Sequence, residues 1–173
     1  MTAMERKIRT GEHTGVKVDS VLAAAMLAAL IAPSDHLWLV SPWITDVQVL
    51  DNSDGAYDSL FGGVPPQSYR LSEALNRIAA SGTRVHVVTR ADPHNDDFLR
   101  RLHKNSSDID IHIDRDLNIH EKTLCAGEWI IDGSMNFTIR GMAKNDESVT
   151  YKVGGVAAAQ ARLDLSARWG GSE

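Results

Sequence analysis

The feature that most narrows what this chain can fold into is a repeated switch between two apolar periods. VLAAAMLAALIA, from Val21 to Ala32, is an unbroken apolar run with Asp19 and Ser20 at helix N-cap positions and Pro33 as a stop. HLWLVSPWI follows, a short aromatic and branched run that Ser41-Pro42 breaks, and it reads as a buried strand entering a loop. From Tyr69 to Ala80, Leu71, Leu75, Ile78 and Ala79 recur at helical spacing, with Gly82 just beyond. RVHVVTR is the next strand, Asn95 to Lys104 a short helix with Phe98, Leu99 and Leu102 on one side, and Ile109, Ile111 and Ile113 alternate as a half-buried strand. Three helix-then-strand units predict an α/β fold. Tightly connected strands after Leu117 and a last helix over about Val156 to Trp169 make the expected sheet mixed, with helices flanking both faces.

Residues 51–67 hold Gly55, Gly62, Gly63, Pro65 and Pro66 among scattered acids and read as one long loop, the kind of excursion that often covers a site. Residues 1–17 read as a flexible arm. The remainder, and so the whole span 1–173, fits a single domain. Arg6, Lys7 and Arg9 ahead of the first apolar run imitate a secretory signal, yet that run starts about twenty residues in and falls short of the ~20 apolar residues that cross a bilayer. A buried helix is the simpler reading, and no membrane partner is expected. The lone Cys125 cannot form an internal disulfide and fits a cytoplasmic protein.

The chemistry concentrates in LNIHEKTLCAGEWIIDGSMNFTIRGMAKNDESVTY, Leu117 to Tyr151. If its first part is a strand, His120 and Lys122 project from one face. A turn at Ala126-Gly127 then reverses the chain into EWIID, which brings Gly133, Ser134, Met135 and Asn136 back to the same end. Glycine there would allow close backbone approach to an anion, Ser134 can donate a hydroxyl proton and Asn136 an amide proton. Cleaving a phosphodiester needs a nucleophile, an acid for the leaving alkoxide and donors around the equatorial oxygens. Histidine can fill either of the first two roles, so no metal or cofactor is called for.

HEK, then an apolar stretch, then GSMN resembles the HxK...GSxN signature of the phospholipase D superfamily, and NDE downstream resembles the acidic residue of its compact bacterial nucleases. The upstream LVSPWI is similar to the family's first-strand motif. The resemblance implies a phospholipase D-like domain, a histidine nucleophile forming a phosphohistidine, a second histidine as acid, phosphate binding by Lys122, Ser134 and Asn136, and an imidazole oriented by Glu147. Two departures stand out. Gly127 occupies the position of the family's motif aspartate, for which Glu128 or Asp132 are the nearby substitutes, and the connection to GSMN is about one residue shorter. Only one HxK is present, whereas the family's active site uses two; a homodimer with one motif from each chain at a two-fold axis resolves this.

A bare HxK is a common accident; its combination with GSxN and Glu147 is what carries weight. His94, His103 and His112 lie near Asp92, Asp96, Asp97 and Asp110 without metal-ligand spacing and read as exposed residues beside helices and loops. Trp38 and Trp43 read as core, Cys125 as a small buried hydrophobe, and Arg100, Arg101 and Lys104 as a solvated helix face. No GxxxxGK loop or GxSxG elbow occurs. The expected function is a metal-independent phosphodiesterase of the nuclease branch, acting on DNA in preference to RNA; the small single-motif format sets it apart from lipid-cleaving relatives. The formal charge of −5 has the wrong sign for coating nucleic acid, so any such contact must be local. That charge and the missing motif aspartate favour the rival reading, a non-catalytic nucleic-acid-binding or assembly subunit of a DNA modification or restriction system; a phospholipase-type phosphodiesterase is the other alternative. The motif wording also resembles the phospholipase D-like proteins (DpdK type) of bacterial 7-deazapurine DNA modification clusters.

Overall fold

The computed structural model describes residues 3–15, 18–61, 65–104 and 110–170. Ile109, Gly62 and Gly63, used in the sequence reading, lie outside them. Among the described residues, nine strands and five α-helices follow in the order β1 (Met4–Thr10), α1 (Asp19–Ile31), β2 (His36–Ser41), β3 (Gln48–Asp51), β4 (Ser68–Arg70), α2 (Leu71–Ala80), β5 (Arg84–Thr89), α3 (Asp96–Lys104), β6 (Ile111–Arg115), β7 (Thr123–Ala126), β8 (Trp129–Gly133), α4 (Ile139–Ala143), β9 (Glu147–Val153) and α5 (Ala157–Trp169). Seven strands form one mixed sheet in the order β1-β9-β8-β7-β2-β5-β6, and β3 and β4 pair separately. The β2, β5 and β6 strands are parallel, while every pairing from β2 through β7, β8 and β9 to β1 is antiparallel.

The alternation of each strand sorts its side chains onto two covered faces. Leu37, Leu39, Val85, Val87, Leu124, Ala126 and Ile131 join the larger core with residues of α1, α2 and α3. Trp38, Val40, Val88, Cys125 and Ile130 face the other way, against Ala158 and Leu165 of α5. Helices therefore flank both faces of a mixed sheet, as the periodicity predicts. A one-residue slip in any central strand would exchange these two sets, so each pairing register is fixed by burial.

Several local expectations are corrected. Residues 4–10 are not an arm: β1 pairs with β9 along its whole length, with Ile8 and Thr10 turned inward. Four charges in MERKIRT conceal an edge strand that buries one side only at its end, and a pairing so distant in sequence leaves no local trace. Val18, with helical dihedrals, occupies the cap position of α1, which places Asp19 in the first turn, where its carboxylate suits the helix dipole. Tyr69 belongs to β4, and α2 starts only at Leu71, where the Glu73 carboxylate accepts from the Arg70 amide. The long loop starts one residue later than expected, because Asp51 closes β3 and pairs with Ser68, and its described part includes a 3-10 turn at Asp58–Leu60. Cys125 is fully buried, and burial pushes its thiol up to about 12.

Candidate active site

One end of the main sheet collects the residues singled out by the sequence. The parallel strands β2 and β5 end there at Ser41 and Thr89. Because β7 runs antiparallel to β2, its first residue, Thr123, lies beside Val40, and the HEK segment immediately before it falls at that same end. The β7–β8 hairpin returns the chain, with Thr123 opposite Asp132, so Gly133 and the following Ser134, Met135 and Asn136 emerge next to it. The β9 strand enters from the same end at Glu147, and β1 finishes there at Thr10, paired with Glu147. In open α/β sheets the carboxyl ends of parallel strands are where ligand sites form, because loops converge there on a rigid base.

The hairpin turn holds just two residues, Gly127 and Glu128, between the paired Ala126 and Trp129. Gly127 has φ +48° whereas Glu128 stays at negative φ, the pattern of a type II′ turn, which favours glycine at its first position. Of the substitutes considered for the motif aspartate, Glu128 is exposed in that turn and the Asp132 carboxylate lies 3.8 Å from the Lys152 ammonium.

His120 and Lys122 are not on a strand; β7 begins after them, at Thr123. His120 is exposed, and the Lys122 ammonium donates to the His120 backbone carbonyl at 2.6 Å, closing a small loop. Ser134 makes the densest contacts. Its hydroxyl donates to a Glu147 carboxylate oxygen and accepts from the Ser148 amide at 3.0 Å, while its own amide donates to the Ser148 carbonyl at 3.0 Å. The Asn145 amide reaches the other Glu147 oxygen at 3.4 Å. Asn136 accepts from the Ser41 hydroxyl at 3.4 Å, which leaves its NH2 group without an acceptor among the described residues. The motif glycine has a different reason from anion approach: Gly133 sits at φ +144°, and a Cβ there would stand 2.1 Å from the Ser148 carbonyl oxygen.

Sequence reasoning missed the residues that hold these loops in place. Ser41 also donates to the Trp43 carbonyl at 2.9 Å, and Thr45 donates its amide to the Phe137 carbonyl at 2.9 Å, so the segments following β2 and β8 are stitched together. Asn95 is fully buried and joins the loops that follow β2 and β5: its carbonyl accepts from the Ile44 amide at 2.8 Å and its NH2 donates to the carbonyls of Pro42 and Arg90, both at 2.9 Å. Arg90 donates to the carbonyl of Ile119, the neighbour of His120, at 3.1 Å, and lies 4.7 Å from the centre of the Trp43 ring. Trp43 is half-buried and not core; its indole donates to Asp92 at 3.4 Å. The His94 amide hydrogen bond and the Trp43 indole hold the Asp92 carboxyl below its ordinary range. The contacts between Ser41 and Asn136, Thr45 and Phe137, Asn95 and Ile44, and Arg90 and Ile119 carry no sequence signal, since each joins loops far apart in the chain.

The remaining histidines are not uniformly exposed. His86 is only 4% exposed, stacked on Trp38 at 3.8 Å between ring centroids and flanked by His36 and His112, each at 5.3 Å. This row crosses β2, β5 and β6 on the face opposite α1–α3 and is separate from the candidate site. Among the described residues no three histidine, cysteine, aspartate or glutamate side chains converge as ligands for a metal ion, and no helix is long and apolar enough to cross a membrane.

This end of the sheet brings together the HEK loop, the GSMN turn and Glu147, the segments that carry the resemblance to the phospholipase D superfamily. The chain belongs to that family: residues 57–169 match the family described as cardiolipin synthase, PLD-like domain. No curated protein matches it. Among solved structures it is similar to Nuc, a phospholipase D family member from Salmonella typhimurium, with 15% identity, a TM-score of 0.62 and coverage of 96% of this chain and 95% of that one. It is similar also to NucT from Helicobacter pylori, with 9% identity, a TM-score of 0.59 and the same coverage of both chains. TrmBL2, an archaeal chromatin protein, is 10% identical with a TM-score of 0.58; the match covers 98% of this chain and 54% of that one.

Proposed function

We propose that this chain is a metal-independent phosphodiesterase that cleaves nucleic acid, DNA in preference to RNA, at a site completed by a second copy of itself. The observation that carries the reading is the meeting, at one end of one sheet, of the single HEK loop, the GSMN turn and Glu147. In the proposed reaction the His120 imidazole attacks phosphorus, forming a P–N bond as the P–O bond to the leaving group breaks. His120 of the second copy gives its proton to the departing alkoxide. Water then attacks the phosphohistidine, returning its proton to the imidazole that acted as acid, and His120 leaves. Lys122 and the NH2 of Asn136 face the nonbridging oxygens as charge builds, and Ser134, with Glu147 behind it, supplies a hydroxyl and helps orient an imidazole. One motif per chain and the need for two imidazoles are what favour the dimer.

The test is incubation of purified protein with single- and double-stranded DNA in EDTA, beside His120→Ala, with products resolved by size and the mass of the native particle measured. Cleavage by the wild type alone, from a dimer, is the expected result. Loss of wild-type cleavage in EDTA would sink the phosphohistidine chemistry. A binding subunit without catalysis is the second reading, favoured by the net charge of −5 and by the fold likeness to TrmBL2, named as a chromatin protein with its own mode of DNA binding; it predicts retention of DNA with no cleavage under any condition.

A further inference from the structure

We infer that the edge strand β1 is a landing strip for the substrate's phosphate backbone, with Arg9 and Lys7 leading a nucleic-acid strand into the candidate site; this rests on the nucleic-acid reading above. In an acidic chain, several cations at a distance from this edge are spent on internal partners: Arg84 on Asp110, Arg100 and Arg101 on Asp97, Arg115 on Asp96, and Arg168 on Glu121. Arg6, Lys7 and Arg9 are all exposed, and among the described residues none has an acidic partner within ion-pair distance. Their cross-strand neighbours on β9 are the uncharged Tyr151, Thr150 and Ser148. Like these, the strand's position matters. A cavity of about 410 Å³ is lined by Arg9 and Thr10 together with Ser134, Asp146, Glu147 and Ser148, so the last cation of the row opens directly onto the proposed phosphate-binding hydroxyl.

The spacing fits a phosphate ladder. Lys7 and Arg9, two residues apart, project from the same face about 7 Å from each other, roughly the rise of two nucleotides along one strand. Charges on an edge strand also serve to block edge-to-edge pairing of sheets, and that role alone would be met by either sign. Two features go beyond it: beside the one acid Glu5, the exposed charges on the strand are three cations in an acidic protein, and the row ends at the site.

The experiment measures affinity for a labelled single-stranded oligonucleotide in EDTA over a series of salt concentrations, in a His120→Ala background so that nothing is cut. Lys7→Gln with Arg9→Gln is expected to weaken binding at least tenfold at low salt and to flatten the slope of log affinity against log salt by about 0.7 for each contact removed. Lys7→Glu with Arg9→Glu keeps a charged edge and should weaken binding further, while Arg84→Gln, removing a paired cation at the far end of β5, leaves the slope unchanged. If the parent protein binds and the Lys7/Arg9 variants bind with the same slope, β1 serves only to guard the edge; the inference falls and the nuclease reading stands. Absence of oligonucleotide binding by the parent overturns both. Binding to vesicles of phosphatidylglycerol that depends on Lys7 and Arg9, with none to DNA, also overturns the inference and assigns the strip to a lipid surface.

Discussion

The Ser134 hydroxyl is clasped from two sides, donating to the Glu147 carboxylate and accepting from the Ser148 amide at 3.0 Å. Ser134→Ala removes both contacts at an exposed position, where water replaces them, so stability should change by less than about 1 kcal/mol. If the hydroxyl serves the transition state, turnover falls on the order of 100-fold. Urea unfolding and single-turnover cleavage measured on the same preparation check the two halves. Equal losses in both would mean a structural clasp only.

Gly133→Ala tests the other half of that turn. With φ at +144° and the Ser148 carbonyl 2.1 Å from the position of a Cβ, any side chain must push β8 and β9 apart. The expected cost is about 2 to 4 kcal/mol, read as a lower urea midpoint. A neutral outcome would show that the strands separate there without penalty.

Asn95→Ala should be among the most damaging single changes outside the apolar core. It strips partners from the buried Ile44 amide and from the Pro42 and Arg90 carbonyls at once. A loss of about 2 kcal/mol is expected, since the orphaned Ile44 amide costs ~1–3 kcal/mol while the Pro42 and Arg90 carbonyls keep other donors. Thermal and urea denaturation measure it; an unchanged midpoint would mean that the two loops hold together without this residue.

His86 makes stability depend on pH. Burial first, then His36, His112 and Arg84, lower its pKa to about 4, with Asp110 acting in the opposite direction. The unfolded chain binds this proton near pH ~6.5, so stability is full above that and falls as pH drops toward 4, by on the order of 3 kcal/mol. His86→Phe should flatten that part of the profile in urea titrations from pH 7 to 4. An identical profile in the variant would assign the acid sensitivity to other groups.

The elements with clear periodicity were legible in the residues: α1, β2, α2, β5, α3 and α5 each declare an apolar face or run, and the turn at Gly127 declares the β7–β8 hairpin. What was hidden is long-range. Nothing local in MERKIRT announces a partner at Glu147–Val153, and HEK looks like strand because it precedes one. For the candidate site, the motif named residues while the fold supplied their supports. Ser41, Arg90 and Asn95 acquire meaning only when loops from β2, β5 and β8 come together. Trp43 reads as core by composition, and its place beyond the end of β2 turns it toward Arg90 instead.

The pairing of β1 with β9 has a consequence during synthesis. The ribosome releases Met4–Thr10 well before Glu147–Val153, so a nascent chain carries β1 unpaired while every element between the two is made. Until β9 emerges, β8 presents a bare hydrogen-bonding edge over Trp129–Gly133, open to any neighbouring strand. Glu147 is the first residue of the strand that seals this gap, so closing the sheet and delivering the glutamate to the GSMN turn are the same event.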